Sequence, residues 1–202
     1  MVKQILLLLC VCSSLHAIAQ KEPADKGGEI KTVYSPVFGV MATFAPGVMV
    51  NQGQSNYYLH GQAFVFIDKH VSLRGDAFVL LPASNSGRVF DSHNTFSAGP
   101  SFHFTHGKAF DPYAGFGVGF TYSQLQTSLS SLSTAPTINP LFMPHLGFRV
   151  FAEQWFYVFA EVNYARGKHF SEYRPAVPFT ELRFSAGLGF HFSNKQTLPV
   201  PN

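Results

Sequence analysis

The chain has 202 residues, of which only 12% are charged, against about a quarter in an ordinary soluble domain. Its formal net charge of +3 is too small to point to nucleic acid or an anionic surface. Its two cysteines, Cys10 and Cys12, both lie near the start, so the rest of the chain has no thiol for a disulfide, a nucleophile or a cysteine metal site.

Residues 1–19 read as a secretory signal peptide: Lys3, an apolar run Ile5–Cys12, then the A-x-A pattern Ala17-Ile18-Ala19, with cleavage before Gln20. The run is too short to span a bilayer as a helix. Leu9 and Val11 stand where a lipoprotein signal wants a small residue, which argues against acylation of Cys10 or Cys12. Loss of Lys3 lowers the net charge from +3 to +2. Residues 20–33 are polar and aperiodic and read as a tail.

From there the dominant signal is period-two alternation, which gives each strand an apolar and a polar side. A first strand falls within Val37–Val50, followed by the polar turn residues 51–54. The second (Tyr57–Ile67) puts Leu59, Ala63 and Val65 on one side, His60 and Gln62 on the other. The third (Val71–Leu81) sets Leu73, Ala77 and Val79 against Arg74 and Asp76. The fourth (Asn94–Thr105) contains Pro100, where a bulge or break is expected. The fifth (Pro112–Gln126) alternates Phe116, Val118 and Phe120 with Gly115, Gly117 and Gly119. Those glycines lie mid-strand on one side; they read as relief of crowding, not as a phosphate loop. The sixth (Asn139–Phe151) carries His145 and Arg149 on its polar side. The seventh (Trp155–Ala165) carries Glu161 and Asn163. The eighth (Glu181–Phe192) is the most regular: Leu182, Phe184, Ala186, Leu188, Phe190 and Phe192 against Glu181, Arg183, Ser185, Gly187, Gly189 and His191. A polar tail, 193–202, follows.

Eight strands joined as hairpins make an even, up-and-down set. The connections 82–93, 127–138 and 166–178 are long; 68–70, 106–111 and 152–154 are short. The apolar side carries Phe, Val, Leu and Ala without a charge, and lysine is absent from the expected strand interiors. This pattern predicts an all-β fold, an eight-stranded antiparallel up-and-down transmembrane β-barrel over 34–192, with lipid outside and a small polar lumen inside. Aromatic residues near strand ends, among them Tyr57, Trp155, Tyr164 and Phe192, suit interfacial girdles.

Eight strands enclose a volume that side chains just fill. The expected lumen cluster is Arg74, Asp76, Arg149, Glu161, Glu181 and Arg183 with His60 and His145, lined further by Gln62, His103 and His191. Its formal charges balance, and buried charges persist when paired, so the cluster reads as a plug. A last hairpin symmetric about Glu172 would set Arg183 opposite Glu161, predicting that these two pair; a symmetric turn at 152–154 would set His145 opposite Glu161 as well. The histidines are scattered, His103 and His106 pointing apart on a continuing strand, and no zinc spacing is present, so no metal or cofactor is expected.

At the eighth strand a resemblance becomes specific. Ser185, Gly187, Phe190 and Phe192 match the C-terminal assembly signal of outer-membrane proteins, although ten residues follow. The layout over 34–192 resembles the small eight-stranded barrels typified by the membrane domain of outer-membrane protein A. The resemblance implies a Gram-negative outer-membrane location with the 20–33 tail periplasmic. It also implies contact with outer-membrane lipids and lipopolysaccharide, insertion by the barrel-assembly machinery and a monomer. It implies no activity, and a non-enzymatic structural or surface-interaction role is expected. Two alternatives stand beside this. His169-Phe170-Ser171, near Glu172 and Glu181, resembles the His-x-Ser of barrel lipid-A deacylases, but falls in an expected loop. A soluble lipocalin-like periplasmic carrier would need its Phe-rich side inward and lacks the Gly-x-Trp signature and disulfides.

Overall fold

The computed structural model describes residues 31–51, 53–82, 89–105, 109–126, 135–152, 155–171 and 174–198. The signal-peptide reading, most of the 20–33 tail, His106 and Glu172 lie outside the described residues. The chain divides into two compact units, 34–194 and a second formed by 1–33 with 195–202; the barrel is the first.

Eight strands follow one another: β1 Lys31–Met49, β2 Gln54–Asp68, β3 Val71–Leu80, β4 Phe90–His103, β5 Phe110–Leu125, β6 Thr137–Phe151, β7 Phe156–Ser171 and β8 Arg174–Leu198. Neighbours in sequence pair antiparallel, and the sheet closes into a barrel in the order β1 to β8. Closure is visible in the Val50 amide donating to the Thr180 carbonyl at 2.8 Å. A closed sheet leaves no strand edge with unpaired backbone groups. The turn into β2 uses Gly53 at φ 62°, a left-handed conformation that favours glycine.

The alternation read from the sequence becomes two faces. Apolar residues stand outward, with Phe44 72% and Leu188 60% exposed, while their polar neighbours are buried inside. Soluble monomers rarely show apolar patches beyond a few hundred Å²; here every strand contributes to one. The carrier alternative required the Phe-rich face inside, and the structure has it outside.

Two local expectations change, and a third is met in part. The stretch 166–178, expected as a loop, is mostly ladder: Lys168 pairs with Pro178, His169 with Val177 and Ser171 with Arg174. Its polar composition masked a continuing alternation, with Arg166, Lys168 and Phe170 exposed and His169 buried. Lys168 therefore stands within a strand, against the expected lack of strand lysines. At Pro100 the expected break is present without a bulge: the β4–β5 pairing skips Gly99 and Pro100 and resumes in the same register, Ala98↔Val118 before and Ser101↔Gly115 after, and the register shift falls at Phe90–Ser92. β8 continues as strand to Leu198, into the expected tail.

Candidate functional site: the polar interior

The inward residues stack in layers along the barrel. At the end carrying the short turns, Met41, Phe64, Tyr157 and Phe159 form an apolar cluster with Phe66 and Phe151 packed on it. At the other end Met49, Phe90, Leu125, Leu141 and Phe179 belong to a second. The charged groups lie between the two.

Arg74 on β3 sits at the centre. Its guanidinium donates to Asp76 at 2.7 and 2.8 Å and reaches across to Glu161 on β7 at 2.7 and 2.9 Å. β3 and β7 are four strands apart in an eight-stranded barrel, so this fork spans the lumen. The remaining carboxylate lone pairs are also met. Tyr113 donates to Glu161 at 2.7 Å, Asn163 at 2.9 Å and Gln62 at 3.2 Å. His60 bonds Asp76 at 3.0 Å and Ser185 at 2.8 Å. Charge-assisted, two-pronged bonds of this kind offset the several kcal/mol of desolvation that each buried ion carries.

A second pair lies nearer the long-loop end. Glu181 accepts from Arg183 at 2.7 Å and from Asn56 at 2.8 Å, and the Tyr58 hydroxyl lies 2.8 and 2.9 Å from its two oxygens. Arg183 also donates to Thr95 on β4, diametrically opposite β8, and lies over the rings of Tyr58 and Phe78 at 4.3 and 4.7 Å. Arg149 makes a third span, from β6 to β2. It donates to Gln62 at 3.2 Å and lies 3.7 Å over the Phe64 ring and 4.5 Å over Tyr113. Each of the three arginines thus bridges to the strand facing its own.

Small residues make room. A Cβ at Gly147 would come within 2.7 Å of the Tyr113 oxygen and of Glu161, and one at Gly47 within 2.8 Å of the Glu181 carboxylate. Gly115 leaves space for His145, which bonds Ser101 at 2.8 Å, and Gly117 faces Ser97; Gly119 instead allows close approach of the Phe96 carbonyl.

The structure therefore brings Arg74, Asp76, Glu161 and His60 into one cluster and Glu181 with Arg183 into another. Arg149 is held mainly by aromatic faces and His145 by Ser101. The expected Glu161–Arg183 pair is corrected: Asn163 faces Arg183, and Ser185 faces Glu161. Likewise His145 faces Asn163, and Gly147 faces Glu161. The β6–β7 hairpin turns one residue later than a symmetric loop implies, and in β7–β8 the turn at Ser171↔Arg174 and the irregularity at His169–Ser171 together have the same effect; each shifts the register by two and preserves the faces. Sequence reading missed Asp111, buried at the start of β5 and bonded to His103 at 2.8 Å, because its place beside a turn disguised an inward position. Tyr58, Tyr113 and Asn163, on the polar side of their strands, stood outside the expected cluster because their types carry no charge signal.

His60, Asp76 and Glu161 could each offer one ligand atom, all within 4.8 Å of one another. The Arg74 fork already occupies both carboxylates, so the place a cation would take holds a guanidinium.

No family model matches the chain, and no curated protein matches it. Solved structures do. Neisserial surface protein A superposes with a TM-score of 0.60 at 13% identity, over 77% of this chain and 97% of that one. The outer membrane protein OprG from Pseudomonas aeruginosa gives 0.57 at 14% identity, over 81% and 99%. Ail, the attachment invasion locus protein of Yersinia pestis, gives 0.54 at 11%, over 78% and 99%. The chain has the fold of the small eight-stranded outer-membrane barrels. At these identities the likeness is one of fold, with polar interior and apolar exterior distributed as a membrane barrel requires.

Within that fold the residues matching the assembly signal divide by face. Ser185 and Gly187 point inward, Ser185 onto His60 and Gly187 against Thr43 and Phe159. Phe190 and Phe192 point outward and stack on Trp155 at 5.7 Å and Phe38 at 6.1 Å. His169 of the His-x-Ser stretch lies on β7 and not in a loop. Its ring is buried and bonds Ser123 at 2.8 Å, so it faces the interior, away from any acyl chain on the outer face.

Proposed function

We propose that the protein spans a bacterial outer membrane as a closed barrel with a structural or surface-interaction role, its lumen sealed by its own side chains. The carrying observation is the Arg74 fork between Asp76 and Glu161, spanning the lumen between two apolar clusters. The start of β1, the end of β8 and the turns 69–70 and 152–155 lie at one end, which such barrels keep in the periplasm; the longest connections, 81–89 and 126–136, then face outward. The Ser185, Gly187, Phe190 and Phe192 pattern on the last strand supports insertion by the barrel-assembly machinery, and the continuous lipid face supports a monomer.

The expected result is recovery in the outer-membrane fraction, heat-modifiable gel migration, and no discrete conductance steps in a planar bilayer. Recovery in the soluble periplasmic fraction would overturn the membrane reading, and steady wild-type conductance would overturn the seal. The proposal includes no catalytic role, because His169 is turned inward onto Ser123. Ser171→Ala is accordingly expected to leave the lipid A profile unchanged by mass spectrometry; a shift in acyl-chain number would restore the deacylase alternative.

A further inference from the structure

Arg166 and Lys168 are exposed cations on the outward side of β7. Below them that side is apolar: Phe156, Val158, Ala160, Val162 and Tyr164. From Phe156 to Arg166 is ~33 Å along the strand, or ~25 Å of height at a tilt of ~40°, which is the thickness of a barrel's apolar band. Arg166 thus stands at the edge of that band, at the end with the long connections, and Lys168 just beyond it. Their neighbours across the ladder are Phe142 and Thr180 for Arg166, and Pro178 for Lys168. Arg166, Lys168, Pro178 and Thr180, with Pro140 and Phe170, line a groove of about 290 Å³.

The two cations stand on a fixed strand. Behind them the His169 ring is bonded to Ser123, and the Phe170 amide donates to Asn139 at 2.8 Å. Neither cation forms an ion pair among the described residues. Among the described residues the outward rim of β4, three strands away, carries the exposed Asp91 instead.

Resting on the membrane reading above, we infer that this groove binds the phosphorylated headgroup of an outer-leaflet glycolipid of the lipid A class. The phosphate meets Arg166 and Lys168, and the acyl chains run down past Phe142, Tyr164 and Leu182. Charge complementarity at the interface and an apolar path beneath it fit an amphiphile better than a free anion. An interfacial cation contributes about a fivefold factor in affinity for an anionic lipid, and two together about thirtyfold.

The test is native mass spectrometry of the purified protein in detergent, with diphosphoryl lipid A, dephosphorylated lipid A and inorganic phosphate as probes. R166Q/K168Q is expected to weaken diphosphoryl lipid A binding about thirtyfold. K69Q, at the short-turn end, should leave it unchanged, and R166K/K168R should retain it. Equal binding by R166Q/K168Q, equal binding of the dephosphorylated lipid, or competition by inorganic phosphate at matching concentrations would each overturn the inference. Outer-membrane recovery and heat-modifiable migration are read on the same variants. If both persist while lipid binding is indifferent to the two cations, the groove alone fails; if they are absent in the wild type, the membrane reading fails first.

Discussion

Arg74→Ala is expected to destabilise the barrel by about 3–5 kcal/mol, the cost of stranding a buried charge without its partner. The loss is large because one guanidinium serves two carboxylates. Its removal takes four bonds of 2.7–2.9 Å and leaves Asp76 and Glu161 facing each other with no guanidinium between them. The repulsion is relieved by neutralising both: R74A/D76N/E161Q is expected to regain half or more of the loss. The readout is urea unfolding in lipid vesicles, followed by fluorescence of Trp155, the only tryptophan. A change within about 0.5 kcal/mol for Arg74→Ala would mean that water reaches the carboxylates, contradicting the sealed interior.

Ala186→Arg is expected to cost about 2–4 kcal/mol in a bilayer, because a charge at mid-depth on the lipid face loses its hydration. Ala186 lies mid-strand on the outward side of β8, paired with Ala160. The size of this result separates the two environments an exposed apolar face can have. In water, arginine at an exposed strand position changes stability by no more than about 0.5 kcal/mol. Thr180→Arg, on the same side but at the rim, is expected to cost at most about 1 kcal/mol, because depth sets the penalty. Equal effects at the two positions would contradict a lipid-facing band.

The faces of the barrel were legible because parity is a local property: Leu182 and Arg183 alternate whatever strand lies beside them. The partners in the lumen were not, because they sit on strands facing each other across it. Arg74 and Glu161 are 87 residues apart, and Arg183 reaches Thr95 over 88. Hairpin symmetry addresses only adjacent strands, and there the turn and the irregularity at His169–Ser171 moved Glu161 from Arg183 to Ser185 without disturbing either face. Strand ends were hidden for a different reason. Beyond the lipid band an outward residue need not be apolar, so Arg166 and Lys168 read as loop while the ladder continued beneath them. Asp111 was lost at the mirror-image boundary, where a turn residue and a first inward residue look the same.

In the proposed membrane setting the Phe- and Leu-rich side meets acyl chains while the charged side is closed to water. This is tested most directly with single cysteines at Leu146 and Leu188, the two native cysteines replaced, each carrying an environment-sensitive fluorophore in reconstituted vesicles. Strong quenching by brominated acyl chains and none by aqueous iodide is expected. Quenching by iodide with no response to brominated lipid would contradict it.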